Sequence, residues 1–475
     1  MSNSRNNARF TVSTVESRVP RVRRRAQAKA VANSHWSNWA HTQSCTPSYT
    51  HQPHDDEGVI SVIKAAKTEG TTVRPLGAGH SFTSVATTDG HRIQLDRCSG
   101  LVELDAANQT ATLRAGTRLR DTPGILRPLG WALPNQGDVD PQSLAGAIST
   151  GTHGTGLGFT GFAGTVKGFK IVTADGVVRH CHPDAEGIDG ELYRLGRLGL
   201  GVFGVLTEVT MSVVPAFDLH ADEHREEFDS LRKSFAERCK EADHLEFFWF
   251  PGQRETLVKH NTRIEPQRHR RPSRNSLKQR LGSARTYLND EVVNNMGLLA
   301  CCEIAKAIPA TTDTINRIAT NTVPERSYSN EAHKVFVSPR RVRFSEMEYS
   351  VPLEAASDVL GEIRDAIARK RMKVSFPIEV RSAKADDVAL STAYGRDSAY
   401  IAIHRYWKEN YREYFNLIEP IFKAHEGRPH WGKLHTLRAE DFAERYPLFG
   451  EVQALREKVD PQGIFLNEHL RELFC

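Results

Sequence analysis

Residues 74–82 read Arg74-Pro75-Leu76-Gly77-Ala78-Gly79-His80-Ser81-Phe82, a turn of small residues that follows Thr72-Val73 and ends on an imidazole. A second cluster, Ser149-Thr150-Gly151-Thr152-His153-Gly154-Thr155-Gly156, follows Leu144-Ala145-Gly146-Ala147-Ile148. Two separated loops of this kind bring many backbone N–H groups to one pyrophosphate, because glycine permits close approach and positive φ. A nucleotide cofactor is the natural ligand of such a pair. The histidine inside the first loop needs a separate reason.

Outward from the first loop, apolar residues at Val59, Ile60, Val62, Ile63 and Ala66 predict a helix over 58–68, and Thr71–Arg74 reads as a strand. Short strands follow at Arg92–Asp96, Leu101–Leu104 and Thr110–Ala115, then a helix at Arg118–Leu129 closed by Gly130. Asp175-Gly176 between Val166–Thr173 and Val177–Cys181 signals a hairpin, and Gly204–Met211 adds a strand. His35-Trp36-Ser37-Asn38-Trp39 reads as an aromatic anchor for this α+β unit, which extends over 35–215.

Beyond 216 the chain is more charged. Strands are expected at Val342–Val351, Val374–Ala383 and Ala399–Tyr406, with helices at Glu354–Arg371 and Glu409–His425. This makes 216–425 a second domain and 426–475 a terminal segment. The basic insert 266–280 (Arg268, Arg270, Arg271, Arg274, Lys278, Arg280) has turn formers and no apolar period, so it reads as an exposed loop.

The 475 residues allow two or three domains with sizeable cores. With 39% hydrophobic and 25% charged residues the composition is that of a globular protein, and no apolar run approaches bilayer length. The net charge of +5 is concentrated in the N-terminal arm and the insert, which argues against a nucleic-acid-coating surface. The arm, 1–34, holds Glu16 as its one acid and is expected to be disordered. Its arginines precede no apolar segment, so a secretory signal fails; an organellar transit peptide fits the composition, a plain flexible tail fits it better, and a peripheral membrane contact is an alternative for the insert. Seven scattered cysteines without ligand spacing point to a reducing compartment, the cytoplasm by default, and to no metal.

Three places carry candidate chemistry. If 374–383 is a strand, Glu379 and Arg381 share the face opposite Phe376, Ile378 and Val380. They read either as a clamp for a polyhydroxy substrate or as a surface ion pair worth little. His404 on the next strand reads as a hydrogen-bonded structural residue. His430-Trp431-Gly432-Lys433-Leu434-His435 reads either as a core plug at Trp431 with solvated neighbours, or as a lysine held near a cofactor to stabilise charge or handle a proton.

Taken together these motifs resemble the vanillyl-alcohol-oxidase-type flavoproteins, in the aldonolactone and alditol oxidoreductase branch. The resemblance runs from Trp36 to the C-terminus. Its carriers are Trp36-Ser37-Asn38-Trp39 with Cys45, Gly79-His80-Ser81, Gly151-Thr152-His153-Gly154, Gly204-Val205-Leu206-Thr207, Glu379-x-Arg381, His430-Trp431-Gly432-Lys433 and Asp460-Pro461-x-Gly463-x-Phe465-x-Asn467. It implies an α+β fold: a two-subdomain FAD-binding domain of the PCMH type, a cap domain on an antiparallel sheet, and a C-terminal segment returning to the FAD domain.

The resemblance also implies that His80 is joined covalently to the flavin 8α-methyl group. The backbone of Gly77 to Ser81, with Ala78 and Gly79 between them, would hold the pyrophosphate, and Leu76 and Phe82 would also bind the cofactor. Ser143, Gly151, Thr152, His153, Gly154 and Thr155 would line the cofactor from the other side, with Val205 or Leu206 at the adenine. Glu379, Arg381 and Lys433 would be the catalytic group. The implied reaction is hydride transfer from a sugar-derived carbinol, an aldono-1,4-lactone, to the flavin, with oxygen or another redox acceptor reoxidising it. An alditol oxidase acting on open-chain polyols is the alternative. A flavin-dependent sugar epimerase partner of the same superfamily fits less well because His80 implies a tethered flavin, and a non-catalytic flavin binder is the distant alternative.

Overall fold

The apolar period from Val59 to Ala66 forms the helix Asp56–Glu69, capped by the Asp55 side chain on the Gly58 N–H (3.0 Å) and ended by Gly70 at φ 65°. In this computed structural model residues 9–11, 31–32, 34–267, 297–338 and 341–475 are described. Residues 268–280 of the basic insert lie outside them. The arm expected to be disordered contributes two described pieces that depart from that expectation. Arg9–Thr11 pairs antiparallel with Leu101–Asp105, and Val31–Ala32 pairs with Tyr49–His51.

Two sheets build the first domain. Tyr49–His51, His91–Gln94 and Val73–Leu76 lie parallel, so that the glycine loop leaves directly from the carboxyl end of a buried strand. The other sheet is antiparallel, in the order Arg9–Thr11, Leu101–Asp105, Thr110–Arg114, Val205–Ser212, Val166–Val172, Val178–Cys181. The Asp-Gly hairpin is present, with Ile171 opposite Arg179 and Gly176 at φ 78°. The helix expected over 118–129 is instead three short turns, Leu119–Asp121, Thr122–Leu126 and Arg127–Leu129. Pro123 and Pro128 lack the N–H groups that would join them.

The cap is an eight-stranded antiparallel sheet ordered Arg326–Glu331, Asp218–Glu227, Glu255–Ile264, His244–Trp249, Ile378–Ala383, Ser398–Tyr406, Phe344–Pro352, Arg428–Pro429. The strand expected from 374 starts at Ile378, because Pro377 has no N–H to give a ladder. Helices Phe228–Glu241, Ala356–Lys370 and Arg412–Ala424 pack together over the sheet's apolar face, where Val351, Val380, Ile401 and Ile403 are buried. The opposite face turns to the first domain.

The two domains are stitched at Thr155. Its hydroxyl donates to the Leu245 carbonyl (2.6 Å) and accepts from the Ser382 N–H (3.2 Å), and its carbonyl accepts from His244 Nδ1 (2.8 Å). The C-terminal segment returns to the first domain: the Val73 N–H donates to the Ile464 carbonyl (2.7 Å), and Asn467 Nδ2 reaches the carbonyls of Ser84 and Thr87. Cys301 and Cys302 share the helix Gly297–Ala307 as free thiols. No helix of the described residues is long and apolar enough to cross a membrane.

Candidate active site

The aromatic anchor and the glycine loop form one structure. Trp39 N–H donates to the Gly79 carbonyl (2.8 Å) and Asn38 Nδ2 to the Ser81 carbonyl (2.9 Å), while the Trp39 ring stacks on His80 at 5.5 Å. Gly79 has φ 71°, and a Cβ there would sit 2.8 Å from the Trp36 ring. Both facts require glycine. The N–H groups of Ala78, Gly79, His80 and Ser81 donate to no acceptor among the described residues. Behind the loop, buried Arg74 holds four carbonyls, those of Val85, Leu200, Gly201 and Phe465, at 2.6–3.1 Å.

Ser143 caps the helix Leu144–Thr150 through the Gly146 N–H (3.2 Å), and Gly151 closes it at φ 83°. A Cβ on Gly77 would lie 2.7 Å from Ser143 Oγ, so loop and helix start face each other closely. Between them runs a cavity of about 980 Å³ lined by Leu76 to Ser81, Ser143, Gly146, Gly204 and Leu206. Gly151, Gly154, Thr155 and Val205 do not line it. Gly151 ends the helix, Gly154 is pressed against Asn135 and Gln136, Thr155 joins the domains, and Val205 packs into the core.

A second cavity of about 830 Å³ continues from the first, and His80, Ser81, Gln142 and Thr150 line both. Its walls include Phe82, Thr152, His153, Glu379, Arg381 and Lys433. Three adjacent strands set the far wall by register. Glu379 lies opposite Ala402, Arg381 opposite Tyr400, and on the next strand Glu346 opposite His404 and Glu348 opposite Ala402. The surface ion pair is thus a buried cluster. Arg381 contacts Glu379, Glu246 (3.0 Å) and Asp138 (3.3 Å). Burial alone would lower its pKa, but the carboxylates of Glu379, Asp138 and Glu246 hold it well above the ordinary value.

Segment 430–433 joins this wall to the glycine loop. The His430 N–H donates to the Glu348 carbonyl (3.0 Å), and the Phe82 N–H donates to the Gly432 carbonyl (2.6 Å). Trp431 points away into the core, where its indole donates to the Leu390 carbonyl (2.7 Å). Lys433 points into the cavity and pairs with Glu346. Trp431 is thus the core plug of the first reading, but its neighbours His430 and Gly432 are buried against the expectation of solvated ones. Burial opposes charge on both partners, yet Glu346 is held down to about 2 by Lys433 and His404, and Lys433 is raised by Glu346 and Glu348.

Glu346, Glu348, Glu246 and Asp138 escape the sequence reading. Glu346 and Glu348 alternate with apolar residues inside the strand expected at 342–351, which is the one signal they carry. His80 is neutral: burial, then the charges of Lys433 and Arg118, push its pKa down to about 4.

Residues 209–473 match the D-arabinono-1,4-lactone oxidase family, and residues 47–182 match an FAD binding domain. The chain belongs to the D-arabinono-1,4-lactone oxidase family. It is 36% identical to an L-gulono-1,4-lactone dehydrogenase of Mycobacterium tuberculosis and 30% identical to an L-gulonolactone oxidase of Scyliorhinus torazame; each comparison covers 92% of this chain and 98% of the relative. A solvent-stable cholesterol oxidase shares the fold, with a TM-score of 0.75 at 15% identity over 94% of this chain and 98% of the other. The protein is an FAD-dependent oxidoreductase. Its residues fit the cofactor. Four residues whose backbone N–H groups have no acceptor among the described residues line the first cavity, and the neutral His80 stands where that cavity opens into the second.

Proposed function

We propose that the chain oxidises a carbinol of an aldono-1,4-lactone. The observation that carries this reading is the doorway at His80. On one side is the glycine-lined cavity; on the other, a second cavity whose wall carries Glu346, Glu379, Arg381 and Lys433. Bound FAD supplies the hydride acceptor. The protein's share is orientation and charge. Glu379 and Arg381, fixed on one strand, position the hydroxyls and present the reacting C–H toward the doorway. Lys433, kept protonated by Glu346, and Arg381 stabilise the negative charge that develops on hydride transfer.

Anaerobic bleaching of the flavin absorbance by an aldono-1,4-lactone tests this, with an open-chain alditol run alongside. Bleaching by the lactone is expected. Bleaching by the alditol alone would move the assignment to polyols, and readmitted air separates oxygen from another acceptor.

The neutral ring of His80, with no hydrogen bond to its nitrogens among the described residues, supports a covalent bond to the flavin 8α carbon. Flavin fluorescence should then stay with the denatured polypeptide, and His80→Ala should release it entirely. Release from the wild type would refute the attachment.

A further inference from the structure

His430 lines the substrate room beside Lys433 and Glu348, and its geometry fixes where its proton sits. The Gly432 N–H donates to Nδ1 at 3.0 Å, so in the neutral ring Nδ1 carries the lone pair and Nε2 carries the hydrogen. Nε2 has no hydrogen-bond partner among the described residues. The ring is neutral at working pH: burial, against the opposing pull of Glu348 and with the help of the Lys433 charge, pushes its pKa down to about 4. Its backbone is fixed too, through the Glu348 carbonyl and a turn from the Lys433 N–H (2.9 Å).

Of the other imidazoles in the room, His80 is the one assigned above to the flavin, and the remaining two face carboxylates. His153 spans the Gly154 carbonyl (2.8 Å) and Glu348 (3.2 Å), and His404 spans the Pro377 carbonyl (3.0 Å) and Glu346 (3.6 Å). Arg381 and Lys433 already face carboxylates. His430 thus offers an uncharged donor that no carboxylate has claimed.

A sugar lactone presents two kinds of oxygen. Its hydroxyls both donate and accept, and so can give their hydrogens to Glu346 and Glu379. Its carbonyl only accepts, and it needs a donor. We propose that the His430 Nε2–H binds the lactone carbonyl oxygen, making His430 the residue by which the site tells a lactone from a polyol. This rests on the lactone reading above.

The test pairs an aldono-1,4-lactone with the matching 1,4-anhydroalditol, in which CH2 replaces the carbonyl. In the holoenzyme, lactone affinity is read from the concentration dependence of anaerobic flavin reduction. Anhydroalditol affinity is read from the perturbation of the flavin spectrum. His430→Phe should weaken the lactone about tenfold while changing the anhydroalditol less than twofold, because only one of them has the carbonyl to lose. His430→Gln, which keeps an N–H donor, should restore most of the lactone affinity and guards against a variant that misfolds. Equal loss for both ligands, or no loss for either, would overturn the assignment to His430 while leaving the lactone reading standing. A wild-type flavin that the lactone fails to bleach would remove both together.

Discussion

Arg381 is held by Glu379, Glu246 and Asp138, all buried or nearly so. Such a cluster is stable because it is complete, and removing its cation leaves carboxylates facing one another without solvent. Arg381→Met should therefore cost about 3–5 kcal/mol of stability, in addition to its effect on turnover. Chemical denaturation of the purified variant measures it; a loss under about 1 kcal/mol would mean that water reaches the cluster. Arg381→Lys should recover only part, since a point charge cannot span three carboxylates as a planar guanidinium does.

At the scale of elements, the strand Phe344–Pro352 explains what the sequence hid. Alternation reads correctly there, but polar positions on a strand are ordinarily assigned to solvent. Here every residue from Phe344 to Val351 is buried, because one face meets the cap helices and the other meets the first domain. Glu346 and Glu348 are therefore legible as a face and illegible as a site. The same blindness affects Glu379 and Arg381, which the bare sequence leaves open between clamp and surface pair.

The glycine loop, the Asp-Gly hairpin and the Trp36–Trp39 anchor were readable because their chemistry is local. Glu246 and Asp138 were not, since only register and domain docking bring them to Arg381. A consequence for the strand is testable. Glu346→Gln deprives Lys433 of its closest countercharge, so burial should pull the lysine's pKa down. The alkaline limb of the flavin-reduction profile should move to lower pH by about a unit. An unmoved limb would show that Glu348 alone keeps Lys433 charged.

Across the whole molecule, burial shapes the response to acid. His244, His430 and His469 are pushed down to about 4, and His435 to about 3, chiefly by burial. Between the ordinary imidazole value of about 6.5 and those values the unfolded chain takes up protons that the folded chain refuses, so stability falls as pH falls. Glu346, held near 2, extends the loss below its ordinary 4.5. Asp386 works the other way: burial raises it to about 6, so its contribution is present below 3.8 and lost as pH rises through 6. Burial likewise raises Asp140, Glu409 and Asp460, but eight lowered histidines against these four carboxylates set the sign. Thermal melts should show Tm decreasing from pH 6.5 to 4, and a flat Tm across that range would contradict the burial of these rings.

The buried guanidinium of Arg74 carries an implication for biosynthesis. One of its four carbonyl partners belongs to Phe465, 391 positions later in the chain. The strand that launches the glycine loop is made early, yet the floor beneath that loop is completed by a residue made 391 positions later. The support of the glycine loop is thus incomplete until the chain as far as Phe465 has been made. A loop that comes early in the sequence is thus secured only when a distant part of the chain has folded back beneath it.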